Sequence, residues 1–168
     1  MPQIIGIDPG ATGAISIIDT KLHTLEIMDM PIVPVGSSKK RTEVDGAAIA
    51  DFVERYDAEV CYIEDVWSLP HDGHVGAFNF GDKYGTTKGV MHTLRIDLLR
   101  VRPAVWKLKM NAPADKGASI ERAKRLFPNH VDLFTRRKDD GRAESAMIAL
   151  YGVFHRKYQL TRALEKVS

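Results

Sequence analysis

Near its start the chain runs Gln3-Ile4-Ile5-Gly6-Ile7-Asp8, then Pro9-Gly10-Ala11-Thr12-Gly13, then Ala14-Ile15-Ser16-Ile17-Ile18-Asp19. Two short runs rich in β-branched residues flank a turn made of proline, glycine and threonine. Such a pattern predicts a β-hairpin with a longer loop. The first strand ends in a carboxylate, Asp8, aimed out at the rim of the sheet. The glycines that follow it allow a second backbone or a phosphate to approach closely.

Working outward, Leu25 to Met30 reads as a third strand closed by Pro31, and Pro34 to Arg41 as a loop rich in Gly, Ser and Lys. Asp45 to Tyr56 has helical spacing, with Ile49, Phe52 and Val53 on one face. Glu59 to Val66 is the fourth strand. Residues 68 to 82 contain Pro70, Gly73, Gly76 and Gly81 and read as an irregular loop. Gly85 to Thr93 is expected to be helical, Asp97 to Val101 to be a strand, and Pro103 to open a short helix through Trp106. Ser119 is expected to cap a helix through Phe127, stopped by Pro128, and the last long helix to run from about Arg142 to Tyr158. This order, with strands and helices interleaved, predicts an α/β fold with a mixed sheet of five strands flanked by helices.

The 168 residues suit a single domain spanning 1–168, with a flexible tail expected after about residue 158. Hydrophobic residues make up 44% and charged residues 27%, which places the chain among ordinary globular proteins. The sequence carries no apolar run of membrane-spanning length, and its first residues lack the pattern of a signal peptide. A cytoplasmic location with no membrane partner is therefore expected. Cys61, the single cysteine, lies in an apolar run and is expected to be a small buried hydrophobe. The net charge is only +2, but Arg100 to Arg142 holds twelve Lys and Arg against five Asp and Glu. That segment is either a set of solvated helix faces or a surface for an anionic partner.

Three places offer acids to chemistry. Asp8 ends the first strand. Glu64 ends the apolar run Val60-Cys61-Tyr62-Ile63, with Asp65 beside it. Asp139, Asp140 and Glu144 open the last helix, and Asp140 and Glu144 share a face at a spacing of four. Taken singly, each has an ordinary structural reading: Asp8 capping its own turn, Glu64 starting a solvated loop, and the last group capping a helix or meeting its dipole. Taken together, they would repel. Two carboxylates ~4 Å apart oppose each other by about 4 kcal/mol at an effective dielectric near 20. All-oxygen donors point to Mg²⁺ or Mn²⁺ rather than zinc. A pair of such ions can activate water and stabilise the leaving oxygen of a phosphodiester. His71 and His74 lie close in sequence but lack partners at zinc-finger spacing. Neither a Walker A loop nor a G-x-S-x-G elbow is present.

In order and spacing these motifs resemble the RuvC-type Holliday-junction resolvases, particularly the phage and prophage members. Ile4-Ile5-Gly6-Ile7-Asp8-Pro9-Gly10 is similar to their opening strand, and Tyr62-Ile63-Glu64-Asp65-Val66-Trp67 to their second acidic strand. Gly81 to Val90, Val101-Arg102-Pro103 with Trp106-Lys107, and Lys116 to Pro128 are similar to the segments that follow. Arg142 to Ala149 is similar to the acidic closing helix, so the likeness covers residues 3 to about 155. The resemblance implies an RNase H-like fold, a homodimer, two Mg²⁺ ions per site with Mn²⁺ as a substitute, and paired symmetric nicks in a four-way junction. It places metal ligands at Asp8, Glu64 and Glu144. Better-known members carry an acid or histidine three residues before the closing carboxylate, where this chain has Gly141. The fourth ligand is then Asp140, one helical turn from Glu144, or Asp139 in its place.

Trp67 falls where the family puts an aromatic that stacks near the junction centre, and Phe78 and Phe80 are further stacking candidates; a loop tryptophan packed on the core is the structural alternative. Lys107, Lys109, Lys116, Arg122 and Lys124 are candidates for phosphate contacts, which would position DNA rather than read its bases. Three other activities fit parts of the pattern. A broader nuclease would cut forks and flaps, and a binding module would hold branched DNA without cutting it. An actin-like or sugar-kinase-type ATPase would use Gly6 to Gly13 as a phosphate loop, but it would need a second Gly-rich loop, which the chain lacks.

Overall fold

The computed structural model describes residues 3–36, 38–67 and 73–165. Its main sheet has five strands: β1 (Gln3–Asp8), β2 (Ala14–Asp19), β3 (Thr24–Asp29), β6 (Ala58–Glu64) and β7 (Asp97–Val101), in the order β3-β2-β1-β6-β7. The pairings β1–β2 and β2–β3 are antiparallel, while β1–β6 and β6–β7 are parallel. This is the mixed sheet that the sequence predicts. The opening hairpin matches its expected residues, with Gly13 N–H donating to the carbonyl of Gly10 at 3.0 Å to close the turn.

Helices cover both faces. On one side lie α3 (Pro103–Met110), α4 (Lys116–Leu126), a 3-10 segment (Pro128–Phe134) and α5 (Asp140–Glu165). On the other lie α1 (Gly46–Val53) and α2 (His74–Thr93). The two-residue alternation of strands decides which side chains meet which layer. Ile4, Val60 and Tyr62 pack in the core under α3, α4 and α5, whereas Ile5, Ile7, Cys61 and Ile63 pack in the core under α1 and α2. Both cores are buried, which explains why the central strands read as unbroken apolar runs. Burial also pushes the Cys61 thiol well above its ordinary range, as befits an inert core residue.

The helix α5 lies unusually close to β1 because small residues line the contact. A Cβ at Gly6 would collide with the backbone of Ser145 and Ala149, and one at Gly152 with the ring of Tyr62. Ser16, the β2 neighbour of Gly6, hydrogen-bonds Ser145 through their hydroxyls at 2.6 Å in the buried seam. At the start of α5, Asp29 pairs with Arg136 at 2.8 Å and with Arg142 at 2.6 Å, fastening the end of β3 to the helix.

The structure differs from expectation in five places. Pro34 to Arg41 is not simply a loop: β4 (Ile32–Val35) and β5 (Ser38–Val44) form a two-stranded hairpin turning through Gly36 at φ +64. A proline inside a two-stranded ribbon is tolerated because no further strand needs its missing donor. The expected irregular segment 68–82 is helical from His74 onward, and its residues 68–72 lie outside the described ones. Glycines weaken a helix by about 1 kcal/mol each. Here Tyr84, Thr87 and Met91 anchor the later turns in the core, and Phe80 stacks on Tyr84 with centroids 6.1 Å apart. The short helix expected to stop at Trp106 continues to Met110, where Asn111 ends it in the left-handed region at φ 49. Asp115, not Ser119, caps α4, its side chain accepting from Ala118 N–H at 2.8 Å. Finally, α5 begins at Asp140 and continues to Glu165, past the expected end at Tyr158. Among the described residues, no helix is long and apolar enough to cross a membrane.

Candidate metal centre

Strand parity brings the acids together. Asp8 continues the face of Ile4 and Gly6, and Glu64 continues that of Val60 and Tyr62, so both look toward α5. The parallel register Ile7↔Ile63 sets the two acids side by side one residue further on, at the rim. Glu144, one turn into α5, completes the group. Asp8, Glu64 and Glu144 each offer an oxygen, and these oxygens lie within 4.8 Å of one another. Among the described residues this is the one such cluster of Asp, Glu, His or Cys.

The electrostatics are those of a site short of positive charge. Burial, then the neighbouring charges of Glu144, Glu64 and Asp140, push the Asp8 carboxyl up to about 8. Burial also raises Glu64, partly offset by a hydrogen bond from the Trp106 indole. That bond runs from Trp106 Nε1 to Glu64 Oε1 at 2.9 Å, beneath a Glu64 only 8% exposed. Lysines answer the remaining acids: Lys107 reaches Glu144 at 3.0 Å and Lys116 reaches Asp140 at 2.7 Å. Lys107 also lies over the Trp106 ring, 5.1 Å from its centroid. An all-carboxylate donor set of this kind fits a hard divalent cation, whose charge would replace the missing countercharge.

Asp139 and Asp140, the two candidates for a fourth acid, have different surroundings. Asp139 is 1% exposed and turned away, accepting from Arg136 N at 2.7 Å and Arg136 Nε at 2.6 Å. Asp140 stands outside the tight group of three, yet close enough for its charge to raise Asp8. At Gly141 there is no room for a side chain. The turn between β1 and β2 rests on it, so a side chain there would collide with the Thr12 carbonyl and come 2.8 Å from Gly13 Cα.

The candidate DNA contacts divide by exposure. Trp67, just past Glu64, is 64% exposed, and Phe78 on α2 is 67% exposed. Phe80 is partly buried against Tyr84. Lys109 is exposed, whereas Lys107 and Lys116 face the acids. Arg122 donates to the Met110 carbonyl at 2.8 Å, and Lys124 pairs with Glu121 at 2.7 Å, so both are engaged within their own region. His74 opens α2, while His71 lies outside the described residues. The residue that sequence reasoning missed is Trp106 as a partner of Glu64. Its signal was faint: a tryptophan one place before Lys107 on a helix that starts at the same rim.

No family model and no curated protein matches the sequence. Solved structures do match. Over 94% of this chain and 96% of the other, it is similar to Thermus thermophilus RuvC in complex with a Holliday-junction substrate, with TM-score 0.67 and 16% identity. The structure of Thermus thermophilus RuvC matches over the same shares with TM-score 0.55 and 14% identity. At such low identity the likeness is one of backbone alone, and the chain has a RuvC-like fold.

Proposed function

We propose that the protein is a divalent-metal-dependent endonuclease that cuts four-way, branched DNA. The observation that carries this reading is the convergence of Asp8, Glu64 and Glu144 within 4.8 Å, on the fold of a protein solved with a Holliday junction. Asp8, Glu64 and Glu144 would hold the cation, with Asp140 as the fourth acid. Bound Mg²⁺ would supply Lewis acidity to the phosphodiester and a nucleophilic water at neutral pH. Two ions per site and Mn²⁺ as a substitute belong to the same reading.

The chain's own residues have defined tasks in it. Asp8, raised to about 8, holds a proton readily at neutral pH and would release it to solvent on taking up a cation. Lys107 and Lys116 hold Glu144 and Asp140 until then, and afterwards are placed to meet phosphate oxygens. Trp67 and Phe78 offer exposed rings for stacking on bases opened at a branch. A homodimer with twofold symmetry would set two such sites against two strands of like polarity.

The test incubates the protein with a labelled four-way junction, a splayed fork and a linear duplex, with Mg²⁺ and with EDTA. Paired nicks in the junction that need Mg²⁺ and vanish in Asp8→Asn support the reading. Equal cutting of fork and junction broadens the substrate. Tight junction binding without cutting in Mg²⁺ or Mn²⁺ replaces the enzyme with a binding module.

A further inference from the structure

Glu64 is held differently from the acids paired with lysine. Lys107 and Lys116 pair with Glu144 and Asp140 through side chains 29% and 77% exposed, on flexible stems that can swing away. The donor to Glu64 cannot. Trp106 is fully buried, packed in the core beneath α3, and its indole N–H points at Oε1 from 2.9 Å. Breaking that bond would leave the N–H unpaired in apolar surroundings, which costs more than the bond itself contributes. Oε1 of Glu64 is therefore tethered to the core, and the carboxylate is held in one orientation.

Resting on the reading that these acids bind a cation, we propose that Trp106 is a positioning residue for the ion. It holds Glu64 as a one-oxygen ligand and so favours Mg²⁺ over Ca²⁺. The physical basis is the difference between the two ions. Mg²⁺ demands a compact octahedral shell of single oxygens, whereas Ca²⁺ takes six to eight oxygens and readily uses both oxygens of one carboxylate. A Glu64 free to turn can present both oxygens equally to one ion; with Oε1 drawn toward the indole, Glu64 presents Oε2 in preference. Helix α3 thus acts on two acids from adjacent positions, Trp106 on Glu64 from the core side and Lys107 on Glu144 from the solvent side. Hydrogen-bond partners of metal ligands commonly govern ion affinity by ten- to a hundredfold when removed.

Two measurements test this, neither of which needs DNA or turnover. Calorimetric titration gives the ratio of the Ca²⁺ to the Mg²⁺ dissociation constant for the unaltered protein and for Trp106→Phe, which keeps the aromatic packing and removes the donor. The expected result is a ratio about tenfold smaller in the variant, through tighter Ca²⁺ binding relative to Mg²⁺. Metal binding with an unchanged ratio overturns the role of Trp106. Should the variant fail to fold, the unaltered protein still decides. It has two tryptophans, so a ¹⁵N spectrum shows two indole N–H signals, and Trp67→Phe assigns them. The Trp106 signal is expected to be slow to exchange with solvent and to shift on saturation with Mg²⁺. A Trp106 signal that stays still while Mg²⁺ binds overturns the inference. No Mg²⁺ binding by the unaltered protein overturns the metal reading, and the inference with it.

Discussion

Replacing Asp8 with asparagine should make the metal-free protein more stable. Asp8 is forced into a rim already holding Glu64, Glu144 and Asp140, and its carboxyl is raised from 3.8 to about 8. The sign follows from linkage. The folded state binds this proton more tightly than the unfolded chain does. Stability from this group is therefore complete below pH 3.8, declines as pH rises, and is fully lost above about 8. At pH 7 roughly three units of that difference have been spent, equivalent to about 4 kcal/mol at 1.36 kcal/mol per unit. Relaxation of the rim and entry of water reduce this, so a gain of about 1–3 kcal/mol is expected for the variant. For a chain of this size that is roughly 2–10 °C in Tm.

The assay is thermal unfolding of both proteins in EDTA from pH 4 to 9, then at pH 7 with Mg²⁺. The gap between Asp8→Asn and the unaltered protein should open between pH 4 and 8 and level off above. Mg²⁺ should close it by stabilising the unaltered protein more than the variant, because binding to the folded state adds to stability. A variant no more stable than the parent in EDTA at pH 7, or a gap independent of pH, would mean that the acids do not oppose one another when no cation is bound. The same substitution should abolish cutting, so loss of activity alongside gain of stability would separate the site's role from that of the fold.

Three further outcomes follow from the same geometry. Gly141→Asp puts an acid where better-known resolvases carry one, but its Cβ would strike the Thr12 carbonyl; urea unfolding should show a loss of about 1–3 kcal/mol or more, and unchanged stability would mean the turn does not rest there. Asp29→Ala removes the partner of Arg136 and Arg142, at a cost of about 1 kcal/mol because Asp29 is 46% exposed. Hydrogen bonds from Arg142 and Arg136 hold the Asp29 carboxyl below 3.8, so its stabilisation is present above that pH and fades as pH falls through the lowered value; the variant's acid-unfolding curve should be shallower there, and an identical acid limb would count against the network. Trp67→Ala should weaken junction binding about 5- to 150-fold, the equivalent of ~1–3 kcal/mol for lost base stacking, with no change in Tm since the ring is 64% exposed. Equal affinity in a gel-shift titration would remove Trp67 from the DNA surface.

How far the sequence speaks depends on which interaction fixes each element. The hairpin Gln3 to Asp19 and the strand at 58–64 are legible because burial on both faces makes them unbroken apolar runs, whose two-residue alternation sorts them between the two cores. The same parity aims Asp8 and Glu64 at one face, so two acids of the cluster follow from the strands alone. What escapes is whatever a distant segment decides. The glycines of 74–82 argue against a helix locally, and only the burial of Tyr84, Thr87 and Met91 further along carries the helix through them. Trp106 looks like one more core residue until the fold sets its indole beneath Glu64.

Gly141 shows why local and distant information must be read together. In the sequence it is a missing ligand, an interruption in the pattern that otherwise points to a metal site. In the fold it is the floor on which the turn from Pro9 to Gly13 sits, and that turn is what holds Asp8 at the end of β1. An acid at 141 would push the turn away and displace the carboxylate it was meant to assist. Asp140, one residue back, lies near enough to Asp8 to raise its carboxyl and leaves the floor flat, with Lys116 in reach to balance its charge; in the proposed reading it is the fourth acid. On that reading, close packing of the turn and placement of the fourth acid are one constraint. A double variant, Gly141→Asp with Asp140→Gly, should therefore lose both stability and Mg²⁺ affinity; recovery of Mg²⁺ affinity by this exchange would show that the turn yields and that position 141 remains available to a ligand.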